Sequence, residues 1–201
     1  MPTITDTFPP PSLDTEKWTE DLVGTTSLVI GTPTDGLYPQ TVDDSGDVAG
    51  VQSESKIYVA ANHNFDMDVA YLDVYSNPAP PVTRDIYFGW RSMLKGGGVP
   101  VWGVVVLLRI TTGPVYTFYK IVRENGTSTE TSLGADPTVG SDGGFRIVRS
   151  GTDYLIYYDN AGWVLLDTVS LSYTGVGFVQ MGVSGTGVTP PAEEVAWIYQ
   201  P

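Results

Sequence analysis

Apolar and polar residues alternate along this chain in short runs, and turn residues separate the runs. Between Phe65 and Tyr75 the apolar Phe65, Met67, Val69 and Tyr71 fall on one side of an extended chain, and Asp66, Asp68 and Ala70 on the other. From Ile86 to Met93 the same period puts Ile86, Phe88 and Trp90 on one face and Tyr87, Gly89 and Arg91 on the other. Both patterns predict strands with one covered face. Val101 to Leu108 is apolar at nearly every position, which predicts a central strand covered on both faces.

The segment FRIVRSGTDYLIYYDNAGWVLL, Phe145 to Leu166, holds three aromatic and branched runs split by two polar turns. Runs this short fit strands rather than helices, and Gly and Asn accept the backbone of tight reversals. A three-stranded meander follows, with Trp163 placed to lie across the preceding hairpin as a packing residue. Tyr154 and Tyr157 are expected to pack as well. Further strands are predicted at Ser27–Ile30, Gly50–Val51, Lys56–Ala61, Val115–Arg123, Thr127–Leu133, Gly177–Ser184 and Val195–Tyr199. Asn125-Gly126 marks a hairpin turn. The helical pattern finds no sustained apolar stripe; Leu13 to Leu22 offers at most a capped turn or a short 3₁₀ segment. The fold class is all-β, and many short antiparallel strands at this spacing imply a sandwich or a barrel. Residues 1–12 read as an extended proline-rich arm and 13–201 as one domain.

Composition narrows the function classes. The chain has 201 residues, 41% of them hydrophobic, with 23 Gly, 15 Pro and 12 Tyr, as strands and turns require. Its net charge is −13 with 10 basic residues in all, a poor match to a phosphate backbone or an anionic membrane. The absence of Cys removes disulfides, thiolate metal sites and thiol nucleophiles. No basic and apolar leader opens the chain, and no apolar run approaches the ~20 residues that a spanning helix needs. A soluble cytoplasmic product is expected.

Several motifs carry a resemblance. DTFPPPSLDTEKWT at the amino terminus is similar to the D-x-F…LD-x-x-x-W opening of concanavalin A-like lectin/glucanase domains, the laminin-G-like jelly rolls. NFDMDVAYLDV resembles their long alternating strand, the Phe145–Leu166 meander resembles theirs, and VGFVQMGVSG with EEVAWIYQ resembles their closing strands. The resemblance runs in order along nearly the whole chain. It implies the jelly-roll fold, an all-β two-sheet antiparallel sandwich; it does not imply an activity, because the superfold hosts lectins, glycosidases, adhesion modules and virion proteins.

The residue chemistry argues against catalysis. The glycosidases that the resemblance brings in use Glu, Asp and Glu at alternate positions of one strand face, whereas this chain presents Asp66, Asp68 and then Ala70. His63 is the sole histidine and sits in a turn between two Asn, with no nucleophile elbow to serve. Asp43, Ser45, Asp47 and Glu54 fall at spacings used by calcium loops, so Asp43, Asp47 and Glu54 are candidate calcium ligands, although Val48 stands where the sharp turn wants Gly. Sugars stack on aromatic rings and bond to Arg, Asn and Asp. If Ile86, Phe88 and Trp90 are core, Tyr87 and Arg91 are expected to join Asp66 and Asp68 on one concave sheet as a carbohydrate-binding surface.

Two roles fit these features. The first is a non-catalytic structural module on a virion surface, a bacteriophage tail or capsid decoration. It would associate with itself or with other virion proteins and take host glycans as ligands. It would be made in the host cytoplasm, with no nucleic acid partner and no membrane insertion. The proline-rich stretch through Pro9-Pro10-Pro11 motivates it, because such arms lose little entropy on docking. The alternative is a stand-alone carbohydrate-binding protein or a diverged glycoside hydrolase.

Overall fold

The computed structural model describes residues 13–23, 26–30, 37–41, 47–53, 57–59, 65–72, 83–92, 101–111, 115–135, 143–159, 161–186 and 196–198. They contain strands and turns, and among them there is no helix. The strands are β1 (Trp18–Val23), β2 (Thr26–Ile30), β3 (Leu37–Thr41), β4 (Asp47–Ser53), β5 (Ile57–Val59), β6 (Phe65–Leu72), β7 (Thr83–Arg91) and β8 (Gly103–Thr111). They continue as β9 (Val115–Glu124), β10 (Thr127–Ala135), β11 (Gly143–Ser150), β12 (Asp153–Asp159), β13 (Trp163–Ser170), β14 (Gly175–Thr186) and β15 (Ala196–Ile198). One sheet has the order β1-β4-β14-β7-β8-β9-β10, with β5 alongside β14. The other has the order β13-β12-β11-β6-β15-β3-β2. Pairing is antiparallel throughout the described ladders.

Local chemistry explains the turns. The Asp14 carboxylate accepts the Glu16 amide at 3.1 Å, and the Asp14 carbonyl accepts the amides of Lys17 and Trp18. That bond to the Glu16 amide, with Lys17 adding to it, holds the Asp14 carboxyl below its usual range. The expected capped turn is therefore present, but it stops at once. Trp18 is buried, and pairing of β1 with β4 takes over from Trp18 onward. The Asn125-Gly126 reversal between β9 and β10 has φ of 50° and 81°, the left-handed pair that a two-residue hairpin needs.

The core forms where the two sheets face each other. Ile86, Phe88 and Trp90 of β7, Val104, Val106 and Leu108 of β8 and Phe118 of β9 meet Met67, Phe145, Ile147, Tyr154 and Ile156 of the second sheet. Each such side chain contributes roughly 1.5–3 kcal/mol by leaving water. Rings join the layers. Phe118 meets Phe145 edge-on at 6.2 Å and Tyr158 at 4.8 Å. Tyr154, Trp90, Tyr173 and Trp102 stack in sequence at 5.6, 5.6 and 5.4 Å. Arg149 also points inward, 1% exposed, with its guanidinium 5.6 Å from the Tyr154 ring centre. At the sheet edges, Lys120 of β9 bonds Asp167 of β13 across the sandwich.

β8 is buried on both faces, as its unbroken apolar run requires. Its inward side joins the core. Its outward Val105 and Leu107 form a second cluster with Tyr87, against which Tyr119 and Ile121 pack. That outward cluster is the floor of the candidate site.

Candidate functional site

The outward face of the eight-stranded sheet is built by alternation and register. β7 contributes Asp85, Tyr87, Gly89 and Arg91, which alternate with the inward Ile86, Phe88 and Trp90. Gly89 pairs with Val105, and Tyr87 pairs with Leu107. Arg91 pairs with Gly103, which pairs in turn with Arg123 of β9. On the other side of β7, Arg91 pairs with Phe178 and Gly89 with the buried Gln180 of β14. Gly89 and Gly103 are thus two positions without side chains, on neighbouring strands, ringed by Tyr87, Arg91, Arg123, Val105 and Gln180.

Crowding keeps those positions empty. A Cβ on Gly89 would stand 2.2 Å from the Val104 carbonyl oxygen and 2.6 Å from the Val105 Cα. One on Gly103 would stand 2.6 Å from the Trp90 carbonyl oxygen. Real Cβ atoms do not tolerate such approaches to backbone.

The electrostatics of this face divide it in two. Arg109 donates to both oxygens of Asp85 at 2.7 and 2.8 Å and to both of Glu130 at 2.7 and 3.0 Å. Its guanidinium lies 4.5 Å above the Tyr119 ring. The bonds to Asp85 and then Glu130 push its pKa up, outweighing partial burial. Two carboxylates are therefore locked to one cation. At the other end, burial and then the nearby charge of Arg91 pull the Arg123 pKa down, while Tyr87 opposes the shift. One buried guanidinium nitrogen of Arg123 has no hydrogen-bond partner.

The predicted carbohydrate residues do not share one surface. Tyr87 and Arg91 lie outward on β7 of the eight-stranded sheet. Asp66 and Asp68 lie on β6, which pairs with β11 and β15 in the seven-stranded sheet. The expectation of a single concave sheet fails because alternation fixes the face of a strand but not the sheet it joins. Asp66 is exposed and paired by both its oxygens with Arg146. Asp68 stands opposite Arg146 in register.

Among the candidate calcium ligands, Asp47 opens β4 opposite Gly185, while Asp43 and Glu54 lie outside the described residues, as do Ser45 and His63. Among the described residues no group of three acidic or His side chains could hold a metal. The 1–12 arm also lies outside them.

Trp163 packs on its own meander, as expected: it lies on the outer surface, 38% exposed, with the Arg146 guanidinium 5.6 Å from its ring centre. The reading of Tyr154 as a packing residue holds; burial pushes its phenol up to about 12, against the opposing charge of Arg149. Arg123 and Gln180 were missed as site residues. Tyr119, Ile121 and Arg123 alternate in the Val115–Arg123 run, and that was the available signal for Arg123.

A shallow groove of about 540 Å³ lies elsewhere, over the inward side of β9 and β10, lined by residues including Lys120, Glu124, Thr127, Thr129 and Thr131. Among the described residues no helix is long and apolar enough to cross a membrane.

No protein-family model matches the chain, and no curated protein sequence matches it. Solved structures do. A legume lectin-like domain from Entamoeba histolytica superposes with a TM-score of 0.61 at 10% identity, over 99% of both chains. Bacillus licheniformis β-glucanase gives 0.59 at 11%, over 98% of this chain and 94% of its own. The exoplasmic/lumenal domain of VIP36, in a Ca2+/Man3GlcNAc-bound form, gives 0.61 at 13%, over 92% and 84%. Identities this low carry the fold alone, and the fold is that of a concanavalin A-like lectin/glucanase jelly roll.

Proposed function

We propose that the protein binds a carbohydrate without cleaving it, on the outward face of the eight-stranded sheet around Tyr87, Arg91 and Gln180. The observation that carries this reading is the patch above Gly89 and Gly103. It joins an apolar and aromatic floor to a few convergent polar groups. Sugars have the matching character, with C–H faces that rest on apolar surface and hydroxyls that need fixed donors and acceptors. The fold supports the same reading, because its solved neighbours include a legume lectin-like domain and a domain bound to Man3GlcNAc.

Binding is favoured over hydrolysis. A retaining glycosidase needs two carboxyl groups ~5–5.5 Å apart, one of them able to deliver a proton. Asp85 and Glu130 share this face, but Arg109 donates to both oxygens of each, so both carboxyl groups are already engaged within the protein. The neighbours named above are lectin-like or hydrolytic domains, so the virion expectation draws no support from them.

The test is calorimetric titration with a panel of neutral and charged oligosaccharides. Tyr87→Phe and Gln180→Ala are expected to weaken the best ligand at least about fivefold, the loss of one or two hydrogen bonds. Asp66→Ala, on the opposite sheet, is expected to leave it unchanged. A panel without binders, or binding lost in Asp66→Ala but kept in Tyr87→Phe, overturns the assignment. New reducing ends released from any panel member overturn its non-catalytic half.

A further inference from the structure

We propose that Asn125 is a site of spontaneous covalent modification, deamidation through a cyclic imide, and that the fold sets its rate through one hydrogen bond.

The sequence supplies the reactive pair. Asn is followed by Gly once in the chain, at Asn125-Gly126. There the Gly126 backbone nitrogen can attack the side-chain carbonyl carbon of Asn125. An N–C bond forms, the bond from that carbon to the side-chain nitrogen breaks, and ammonia leaves. Water then opens the five-membered imide at either carbonyl, giving Asp or isoaspartate. Gly favours the attack because no Cβ shields its nitrogen or restricts its backbone. The turn offers no steric shield either. Asn125 and Gly126 are exposed, and nothing lies within 4 Å of where a Gly126 Cβ would stand.

One contact opposes the reaction. The Gly126 amide donates to the Val101 carbonyl at 2.9 Å. The nitrogen attacks once it has lost its proton, and a hydrogen bond to the neutral N–H resists that loss. The same bond ties the nitrogen to the segment ahead of β8, so the turn must open before the ring can close. That segment is itself anchored. The Ser92 amide donates to the Trp102 carbonyl at 2.9 Å, the Trp102 amide donates to the Ser92 hydroxyl oxygen at 3.1 Å, and the Trp102 ring stacks on Tyr173. Ser92 is thus a positioning residue, acting on Asn125 through the neighbour of Val101.

The two products differ in consequence. Asp tolerates left-handed backbone much as Asn does, so it suits the φ of 50° at position 125. Isoaspartate adds a carbon to the main chain of the two-residue turn that sets β9 against β10. β10 brings Glu130 to Arg109, so isoaspartate at the turn loosens that ion pair from its hairpin end.

The experiment incubates the full chain at neutral pH, under native conditions and in unfolding guanidinium chloride, then digests it with trypsin. The peptide 124–146 contains no amide side chain besides Asn125, so amide-to-acid conversion within it reports this residue. Chromatography separates the Asp and isoaspartate forms. The native chain is expected to convert about tenfold or more slowly than the unfolded one, because the turn must open first. In the native state Ser92→Ala should convert about threefold or more faster than the parent, the effect of weakening one hydrogen bond. Ser92→Thr, which keeps a hydroxyl, should stay at the parent rate. Tryptophan fluorescence confirms that both variants are folded. If the unfolded chain yields no isoaspartate in this peptide, the site is wrong. Equal native and unfolded rates, or a folded Ser92→Ala that converts at the parent rate, overturn the hydrogen-bond control. If Ser92→Ala does not fold, the native and unfolded rates of the parent chain decide the matter.

Discussion

Replacing Gly89 with alanine adds a single methyl group where the sheet has no room for it. The new carbon would lie 2.2 Å from the Val104 carbonyl oxygen, 2.6 Å from the Val105 Cα and 3.0 Å from the Val104 carbonyl carbon. All three are backbone atoms of β8, so no side-chain rotation relieves the contact. Ordinary van der Waals separation requires β7 and β8 to part locally by about 1 Å, at the centre of the eight-stranded sheet. Overpacking a dense core costs about 1–3 kcal/mol, and each ladder hydrogen bond stretched beyond use adds about 1 kcal/mol. The expected loss is therefore about 3–5 kcal/mol, equivalent to a fall in melting temperature of roughly 6–20 °C for a chain of this size. Gly126→Ala is the control. It has open space around its Cβ and a φ of 81°, so its cost is backbone strain alone, about 1–2 kcal/mol. Urea unfolding followed by tryptophan fluorescence measures both. If Gly89→Ala loses less than Gly126→Ala, β7 and β8 do not approach as closely as the backbone distances indicate, and the crowding that keeps the site floor empty is not real.

Other predictions follow from the core and the sheet edges. Phe118→Ala removes the ring that touches Phe145 and Tyr158 across the sandwich and should cost about 3–5 kcal/mol, with Phe118→Leu below about 1.5 kcal/mol in the same urea assay. Tyr154 has a phenol raised from the ordinary 10.0 to about 12, so the unfolded chain ionises first. The neutral phenol's contribution is full below pH 10 and disappears as pH rises to about 12. Tyr154→Phe should therefore remove about 2–3 kcal/mol of the alkaline destabilisation seen in urea midpoints across that window. Burial alone would raise the Asp167 carboxyl, but the bonds from Lys120 and the Thr168 amide, with the Lys120 charge, hold it below 3.8. Its contribution is present above that value and lost as pH falls through the lower folded one. Asp167→Asn should thus be the less stable protein at pH 7 and lose its disadvantage towards pH 2. The difference should stay under about 1 kcal/mol because the pair is partly exposed to solvent.

Much of the strand geometry was legible because alternation is a local property. Ile86, Phe88 and Trp90 face the core between the sheets, and Tyr87 and Arg91 lie on the other face of the sheet, as period two requires. Met67 is inside and Asp66 outside for the same reason. The continuous run in β8 gave a strand covered on both faces. Sheet membership was not legible. β6 and β7 are neighbours in sequence, yet they pair with β11 and β14 respectively, and no local pattern encodes partners that distant. This is what separated Asp66 and Asp68 from Tyr87 and Arg91. Arg149 was hidden for a different reason. Arg149 shares the parity of Phe145 and Ile147, so alternation places it inward, but its contact with the Tyr154 ring depends on a core that sequence does not display. β1 and β3 escaped notice because polar Thr19, Glu20 and Asp21, and Pro39, dilute their strand signal.

The position of β14 has a consequence for synthesis. It is the strand that joins β4 to β7, and it is made roughly 95 residues after β7 ends. At translation rates of ~5–20 residues per second, the nascent chain spends about 5–20 s with the edges of β4 and β7 unclosed. During that interval the amino-terminal half cannot complete its sheet, however well its local hairpins form. Vectorial folding is thereby denied to this topology, and holding factors that shield open strand edges should raise its yield more than factors that speed refolding of the finished chain.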